Sequence, residues 1–178
     1  ERLTGRLWQI DHSIDRVVKT FPIVPIIRHH ETGLLGIALD PDFEGSRYIY
    51  CYYTAGTNDN DMWNRVVRIG EDSTGEEVIL DNIPAGRIHN GGIMAFGPDG
   101  ALYIGVGISN EVAERASDMN FLGGKVLRIN RDGSVPGDNP YPGSPVYSCG
   151  HRNVFGLAFH PKTGKLYISD VGPDHDDE

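Results

Sequence analysis

Long apolar runs, helical periodicity and clustered cysteines are all missing from this 178-residue sequence. No apolar stretch approaches the ~20 residues that a membrane-spanning helix needs, so we expect no membrane span. The two cysteines, Cys51 and Cys149, lie far apart without C-x-x-C spacing, which favours separate buried thiols over a disulfide or a metal site. A weak helical pattern covers only Asn110–Asp118, where a loop is the alternative.

Basic residues are also scarce. There are 16 lysines and arginines against 25 aspartates and glutamates, for a net charge of −9. This balance argues against nucleic acid or an anionic membrane as the main partner. The chain opens at Glu1 without a methionine or a charged-then-apolar leader and closes on an acidic run. We therefore expect a fragment or a processed form.

Glycine and proline, by contrast, are abundant, with 23 and 11 copies. They alternate with short β-branched and aromatic clusters such as Tyr48–Tyr53 and Val66–Ile69. Short strands joined by tight turns produce this composition. The sequence therefore predicts an all-β fold.

One strand-turn-strand pattern occurs three times, as GIALDPDFEGSRYIY, GIMAFGPDGALYIG and GLAFHPKTGKLYIS. The turn prolines of the copies are spaced by 57 and 63 residues: Pro41, Pro98 and Pro161. A second marker, an isoleucine in LWQIDHS, VVRIGEDS and VLRINRDGS, recurs at spacings of 59 and 60 residues: Ile10, Ile69 and Ile129. Two markers with one period indicate a structural repeat.

A repeat of this length is typical of a β-propeller, whose blades are four-stranded antiparallel sheets. We predict one partial propeller domain over residues 1–178, with blades or half-blades at approximately 1–22, 33–81, 89–149 and 150–178. The predicted strands amount to about three blades, with only outer strands at the N-terminus and only inner strands at the C-terminus. Because three blades leave open sheet edges, either a longer chain or another chain should complete the propeller.

Polar loops enter the predicted inner strands at His29–Gly33, Arg87–Gly92 and Cys149–Asn153. In an antiparallel blade these loops share one end with those leaving the second strands, which begin at Thr54, Gly107 and Asp170. Glu31, His89 and Arg152 hold nearly equivalent blade positions, so we expect them to meet at the mouth of the central channel.

Structural roles compete with functional ones at several positions. His89 either hydrogen-bonds between blades or acts on a ligand, and Arg152 either forms an inter-blade ion pair or binds one. The acidic run Asp176–Glu178 is either a solvated tail or a cation site. The remaining histidines have no ligand-like spacing, and we interpret them as surface or turn residues: His12, His29, His30, His160 and His175.

Several motifs resemble the soluble sugar dehydrogenases that depend on pyrroloquinoline quinone, the glucose/sorbosone dehydrogenase family. They are GLLGIALDPDF, IHNGGIMAFGPDGALYI, LGGKVLRINRDGSVPGDNPYPGSPVYSCGHRNVFGLAFHP and DVGPDHDDE. The resemblance covers almost the whole chain. It implies a six-bladed propeller, of which roughly half is present here.

By this resemblance His89 is the general base that removes a proton from a sugar or alcohol hydroxyl, while hydride passes to the quinone. Arg152 is both a catalytic and a cofactor-binding residue, because its guanidinium contacts the quinone oxygens. Asn153, Glu31 and Gly172 complete the implied cofactor-binding set. The resemblance also implies a periplasmic or extracellular location.

The resemblance further implies calcium bound near the cofactor. Gly172 and Pro173 match a pair whose backbone carbonyls bind this ion, and carbonyl oxygens suit a hard cation. Asp177 and Glu178 match acidic positions near the active site and a second calcium site.

Other positions depart from the best-known glucose-oxidising members of that family. Ile108 stands where a carboxylate orients the histidine, Val171 where a glutamine stands, and Ile93 where an arginine stands. These departures argue against glucose as the substrate. They favour the alternative of a non-catalytic binding propeller that resembles the hedgehog-interacting proteins. A hydrolytic propeller such as a lactonase is weaker, because only Glu31 and Asp170 offer carboxylates at the mouth.

Overall fold

A computed structural model describes residues 1–11, 13, 16–22, 27, 30–72, 74–110 and 113–172. Within this part of the chain, twelve strands form four antiparallel sheets of two, four, four and two strands. The first sheet contains β1 (Arg6–Asp11) and β2 (Arg16–Pro22), and the last contains β11 (Val154–Phe159) and β12 (Leu166–Asp170). The all-β partial propeller is thereby confirmed.

The two complete sheets lie between these pairs. In order, the second sheet contains β3 (Leu34–Leu39), β4 (Tyr48–Asn58), β5 (Asp61–Gly70) and β6 (Glu77–Pro84). The third contains β7 (Met94–Phe96), β8 (Leu102–Val106), β9 (Lys125–Ile129) and β10 (Val146–Cys149). Each strand pairs with its sequence neighbour, which is the connectivity of a propeller blade.

The second sheet is longer at one end than its sequence suggests. The segment after Thr54 was expected to be a loop, but β4 continues to Asn58 and pairs with Asp61 of β5. Polar side chains hold this hairpin: the Thr57 hydroxyl donates to the Asp61 carboxylate at 2.7 Å, and the Asn60 N–H donates to the Asn58 side chain at 2.9 Å.

Helix is confined to two short turns within the described residues. The 3-10 helix Ala113–Ser117 falls inside the segment with a weak helical pattern. A single α-turn, α1 (Phe43–Ser46), joins β3 to β4 and was not predicted. Neither element is long or apolar enough to cross a membrane.

The core forms where the faces of successive sheets meet. Tyr50 and Tyr52 of β4 pack with Leu102 and Ile104 of β8, while Cys51 of β4 belongs to the cluster on the opposite face of the same sheet. Side chains alternate between the two faces of a strand, so β4 is buried on both sides. This double burial explains its nearly continuous apolar run.

Neighbouring inner strands approach each other at backbone distance. A Cβ atom on Gly36 of β3 would lie 1.8 Å from the carbonyl oxygen of Gly92, just before β7. Only glycine fits this contact. It brings the loop that precedes β3 alongside the loop that precedes β7, and these loops carry Glu31 and His89.

Both cysteines are free thiols, as expected from their spacing. Cys51 is fully buried, whereas Cys149 is only partly buried. The more unusual buried group is Lys125, whose ammonium donates to the carbonyls of Ala116 at 2.6 Å and Gly123 at 3.0 Å. Burial lowers the pKa of Lys125. Its contacts fasten the 3-10 helix to β9.

Candidate active site at the channel mouth

His89 occupies a strained turn immediately before β7. Its φ of 58° lies in the left-handed region, which non-glycine residues seldom adopt. Its backbone N–H donates to the Glu31 carboxylate at 2.7 Å, and its carbonyl accepts from the Ser109 N–H at 2.9 Å. Such strain persists only where surrounding contacts hold it, and it is often found at functional sites.

Asn90 holds this turn from inside the protein, with a side chain that makes four hydrogen bonds. Its amide nitrogen donates to the Gly86 carbonyl at 2.7 Å and the Glu31 carbonyl at 3.1 Å. Its oxygen accepts from the Gly86 N–H at 2.9 Å and the Asn64 amide at 3.1 Å. The residue is 2% exposed, so these bonds are shielded from water. Sequence reasoning missed Asn90; its place in the short HNGG turn was the available signal.

Asp170, at the end of β12, organises the loop that contains Arg152 and Asn153. Its carboxylate accepts the Arg152 backbone N–H at 2.9 Å and the Asn153 backbone N–H at 2.6 Å. The Arg152 guanidinium donates through Nη1 to the carbonyls of Val171 and Gly172, both at 3.0 Å. The expected alternative, an ion pair of Arg152, is not found among the described residues. Sequence reasoning assigned no positioning role to Asp170.

The His89 and Arg152 loops also contact each other directly. The Asn153 side-chain oxygen accepts the Gly91 N–H at 3.1 Å, and the Ile108 N–H donates to the Arg152 carbonyl at 2.9 Å. Gly107 permits this approach, because a Cβ atom there would lie 2.1 Å from the His89 carbonyl oxygen. Three sheets therefore contribute to a single rim.

The electrostatic environment favours a neutral imidazole. Burial lowers the pKa of His89, the positive charge of Arg152 lowers it further, and the negative charge of Glu31 opposes both. No hydrogen bond to the ring is found within the described ranges. A neutral imidazole with a free nitrogen can accept a proton from a bound hydroxyl group.

Two cavities open beside these residues. One, of about 280 Å³, is lined by Glu31, Asn90 and Asn153 among others. The second, of about 460 Å³, is lined by His89 and Ile108 among others. His30 borders both cavities, although sequence reasoning gave it no role beyond a surface turn. The mouth thus offers concave, mixed polar and apolar surface of the kind that small ligands use.

Comparison with known proteins identifies the family. The family model for glucose/sorbosone dehydrogenases matches residues 1–178. The chain belongs to this family.

Relatives in the glucose/sorbosone dehydrogenase family include a quinoprotein glucose dehydrogenase B from Acinetobacter calcoaceticus, 32% identical over all of this chain and 44% of that protein. The aldose sugar dehydrogenase YliI of Escherichia coli is 29% identical over 97% of this chain and 49% of its own length. The chain spans about half the length of these relatives.

Solved structures agree with the sequence relatives. The PQQ-bound aldose sugar dehydrogenase of Streptomyces coelicolor superposes with a TM-score of 0.88 at 39% identity, covering 97% of this chain and 52% of that one.

Human hedgehog-interacting protein is 30% identical, but the match covers only 62% of this chain and 19% of that protein.

The glucose/sorbosone dehydrogenase fold brings together most of the residues expected at the site. Glu31, His89, Arg152 and Asn153 lie at one rim, and Gly172 joins them through its hydrogen bond to Arg152. The other expected calcium ligands lie outside the described residues: Pro173, Asp177 and Glu178. The same is true of His12, His29 and His175.

Proposed function

We propose that this chain forms part of a dehydrogenase that oxidises an aldose sugar or a related alcohol with pyrroloquinoline quinone. The observation that carries the proposal is a partly buried imidazole, His89, on a rim that its loop shares with the loop of Arg152 and that two cavities border. The names of the family's quinoprotein and PQQ-bound members support the choice of cofactor.

In this proposal His89 removes the proton of the substrate hydroxyl. Its lowered pKa keeps the ring neutral near pH 7, and its ring has no competing partner among the described residues. The quinone, when bound, supplies the acceptor for the hydride that leaves the carbon bearing this hydroxyl. His89 takes up only the proton, so charge and electrons balance between the two groups.

Arg152 and Asn153 would hold the quinone. Only Nη1 of Arg152 has hydrogen-bond partners among the described residues, which leaves its other nitrogens available to quinone oxygens. A guanidinium fixed in place stabilises negative charge without having to reorganise. Glu31 borders the same cavity as Asn153.

Calcium remains a proposal for Gly172, Pro173, Asp177 and Glu178. The Gly172 carbonyl already accepts a hydrogen bond from Arg152, so one oxygen lone pair is left for an ion. Within the described ranges, no group of three histidine, cysteine, aspartate or glutamate side chains could hold a metal. We also propose, from the family resemblance, that the protein works in the periplasm or outside the cell.

The test is reconstitution of the full-length protein with the quinone and calcium, followed by an assay with an artificial electron acceptor and a panel of aldoses. We expect sugar-dependent dye reduction. The substitutions His89→Ala and His89→Asn should lower kcat ~100-fold or more while leaving quinone binding intact. Asparagine tolerates the left-handed turn, so H89N separates loss of the base from loss of the backbone conformation.

His160→Asn provides a matched control, because His160 lies on an exposed turn between β11 and β12. Its activity should equal that of the wild type. Unchanged turnover in H89N would show that His89 is structural. A protein that binds no quinone and reduces no dye with any aldose would refute the dehydrogenase.

One observation favours a second candidate, a non-catalytic binding propeller. Ile108 is buried beside His89 at a position where, by the resemblance, the best-known glucose-oxidising members have a carboxylate, and the hedgehog-interacting proteins match part of the chain. Failure of quinone binding, combined with an intact fold, would favour this candidate.

A further inference from the structure

Glu31 makes three hydrogen bonds to the turn that contains His89, although Glu31 lies in the loop before β3 and His89 in the loop before β7. Its carboxylate accepts the His89 N–H at 2.7 Å. Its own N–H donates to the Arg87 carbonyl at 2.9 Å, and its carbonyl accepts from the Asn90 amide at 3.1 Å. Both the main chain and the side chain of Glu31 therefore form hydrogen bonds with the segment Arg87–Asn90.

The contact falls at the strained residue itself. His89 has a left-handed φ of 58°, and the Glu31 carboxylate is the acceptor found for its N–H among the described residues. A charged acceptor makes a stronger hydrogen bond than a neutral one. The Glu31 carboxylate thus stabilises the conformation from which the imidazole is presented.

Glu31 also contributes the negative charge next to the ring. In the part of the chain that the structure describes, the charged or titratable residues around His89 come from its own loop, from the loop before β3 and from the loop before β11: Arg87, His30, Glu31 and Arg152. The Arg87 guanidinium is paired with Asp59 at 2.9 Å. The described part of the loop after β8, up to residue 110, contributes the uncharged Ile108 and Asn110. Among the described residues, Glu31 is therefore the carboxylate that opposes Arg152 at the imidazole.

We propose that Glu31 is the positioning residue of His89, fixing its backbone by a hydrogen bond and facing its imidazole with a negative charge. This assignment rests on the proposed function only for its catalytic consequence. By the family resemblance, the best-known glucose-oxidising members carry an orienting carboxylate at the position of Ile108. In this chain Glu31 fixes His89 by a different route, through its main-chain N–H.

The test compares Glu31→Gln with Glu31→Ala in the full-length protein. Glutamine keeps an oxygen that accepts the His89 N–H but removes the charge, whereas alanine removes both. Glu44→Gln is the matched control, because Glu44 lies in α1 at the opposite end of β3 and is largely exposed.

Two readouts need neither quinone nor substrate. Titration of the His89 imidazole by NMR should give a lower pKa in E31Q than in the wild type, because a nearby negative charge stabilises the protonated ring. Exchange of the His89 amide proton should be fast in E31A and protected in E31Q. E44Q should match the wild type in both. An unchanged His89 titration in E31Q, or equal amide protection in E31A and E31Q, would overturn the proposal.

Activity supplies a third readout. The acid limb of the pH profile of kcat/KM should move to lower pH in E31Q, since the weaker base loses its proton more readily. E31A should also fall about tenfold below E31Q in kcat, the loss expected from the one neutral hydrogen bond that glutamine keeps and alanine lacks. If the wild type reduces no dye, the proposed function fails, but titration and amide exchange still decide the role of Glu31.

Discussion

Replacing Asn90 by alanine should destabilise the protein far more than an ordinary asparagine substitution. The side chain makes four hydrogen bonds and is 2% exposed. Its removal takes this partner from four groups: the buried N–H and carbonyl of Gly86, the Glu31 carbonyl and the Asn64 amide. At about 1 kcal/mol net for each bond, the sum approaches 4 kcal/mol.

Water reduces this figure, because Asn90 lines the cavity of about 280 Å³ and solvent can reach part of the vacated space. We therefore expect a loss of about 3 kcal/mol in the free energy of unfolding. Urea denaturation followed by tryptophan fluorescence would show this as a midpoint lowered by about 1 M or more.

The matched control is Asn120→Ala, since Asn120 is exposed and its side chain has no hydrogen bond among those found in the described residues. It should change stability by less than about 0.5 kcal/mol. A loss below about 1 kcal/mol in N90A would refute the reasoning, because water would then replace the asparagine without penalty.

One further substitution tests the packing of the sheets, and a pH titration tests the burial of Cys51. Gly36→Ala should cost about 3 kcal/mol, since its Cβ would lie 1.8 Å from the Gly92 carbonyl and neither backbone can yield; Gly137→Ala, with nothing within 4 Å, should be neutral in the same urea titration. Burial raises the pKa of the Cys51 thiol from 9.0 to about 12, so the folded state keeps a proton that the unfolded state loses above pH 9. Stability should therefore fall as pH rises, by about 1 kcal/mol between pH 8 and 10 relative to Cys51→Ala. An equal dependence of the free energy of unfolding on pH in the wild type and in Cys51→Ala would contradict this prediction. In the native protein, iodoacetamide should modify Cys149 and spare Cys51.

The strands could be predicted because their sequence signals are local. These signals are alternating polarity, clusters of β-branched and aromatic residues, and turns with proline and glycine, each of which spans only a few residues. The repeat then shows the same strand-turn-strand pattern three times. The extension of β4 and β5 was missed for a physical reason. Thr57 and Asp61 look like loop residues, yet they stabilise the hairpin through a bond between their own side chains.

The site divides in a similar way. The blade pattern predicted that Glu31, His89 and Arg152 would lie at one end, because equivalent positions of a repeat occupy equivalent places in the fold. The roles of Asn90 and Asp170 were not predicted. Asn90 reaches the Glu31 carbonyl, which packing between sheets brings near it. Asp170 reaches the N–H groups of Arg152 and Asn153, which the pairing of β11 with β12 brings near it.

The amino-acid sequence alone therefore predicted the repeat period, the order of the strands and the end of each sheet at which a loop emerges. These features depend on neighbours along the chain. The lowered pKa of His89 and the contacts of its left-handed turn could not be predicted in this way. Burial and the charge of Arg152 lower that pKa, and the Glu31 carboxylate accepts the N–H of the turn, although Arg152 and Glu31 lie far from His89 in sequence. Electrostatic and hydrogen-bond energies follow distance in space, and only the packed sheets determine those distances.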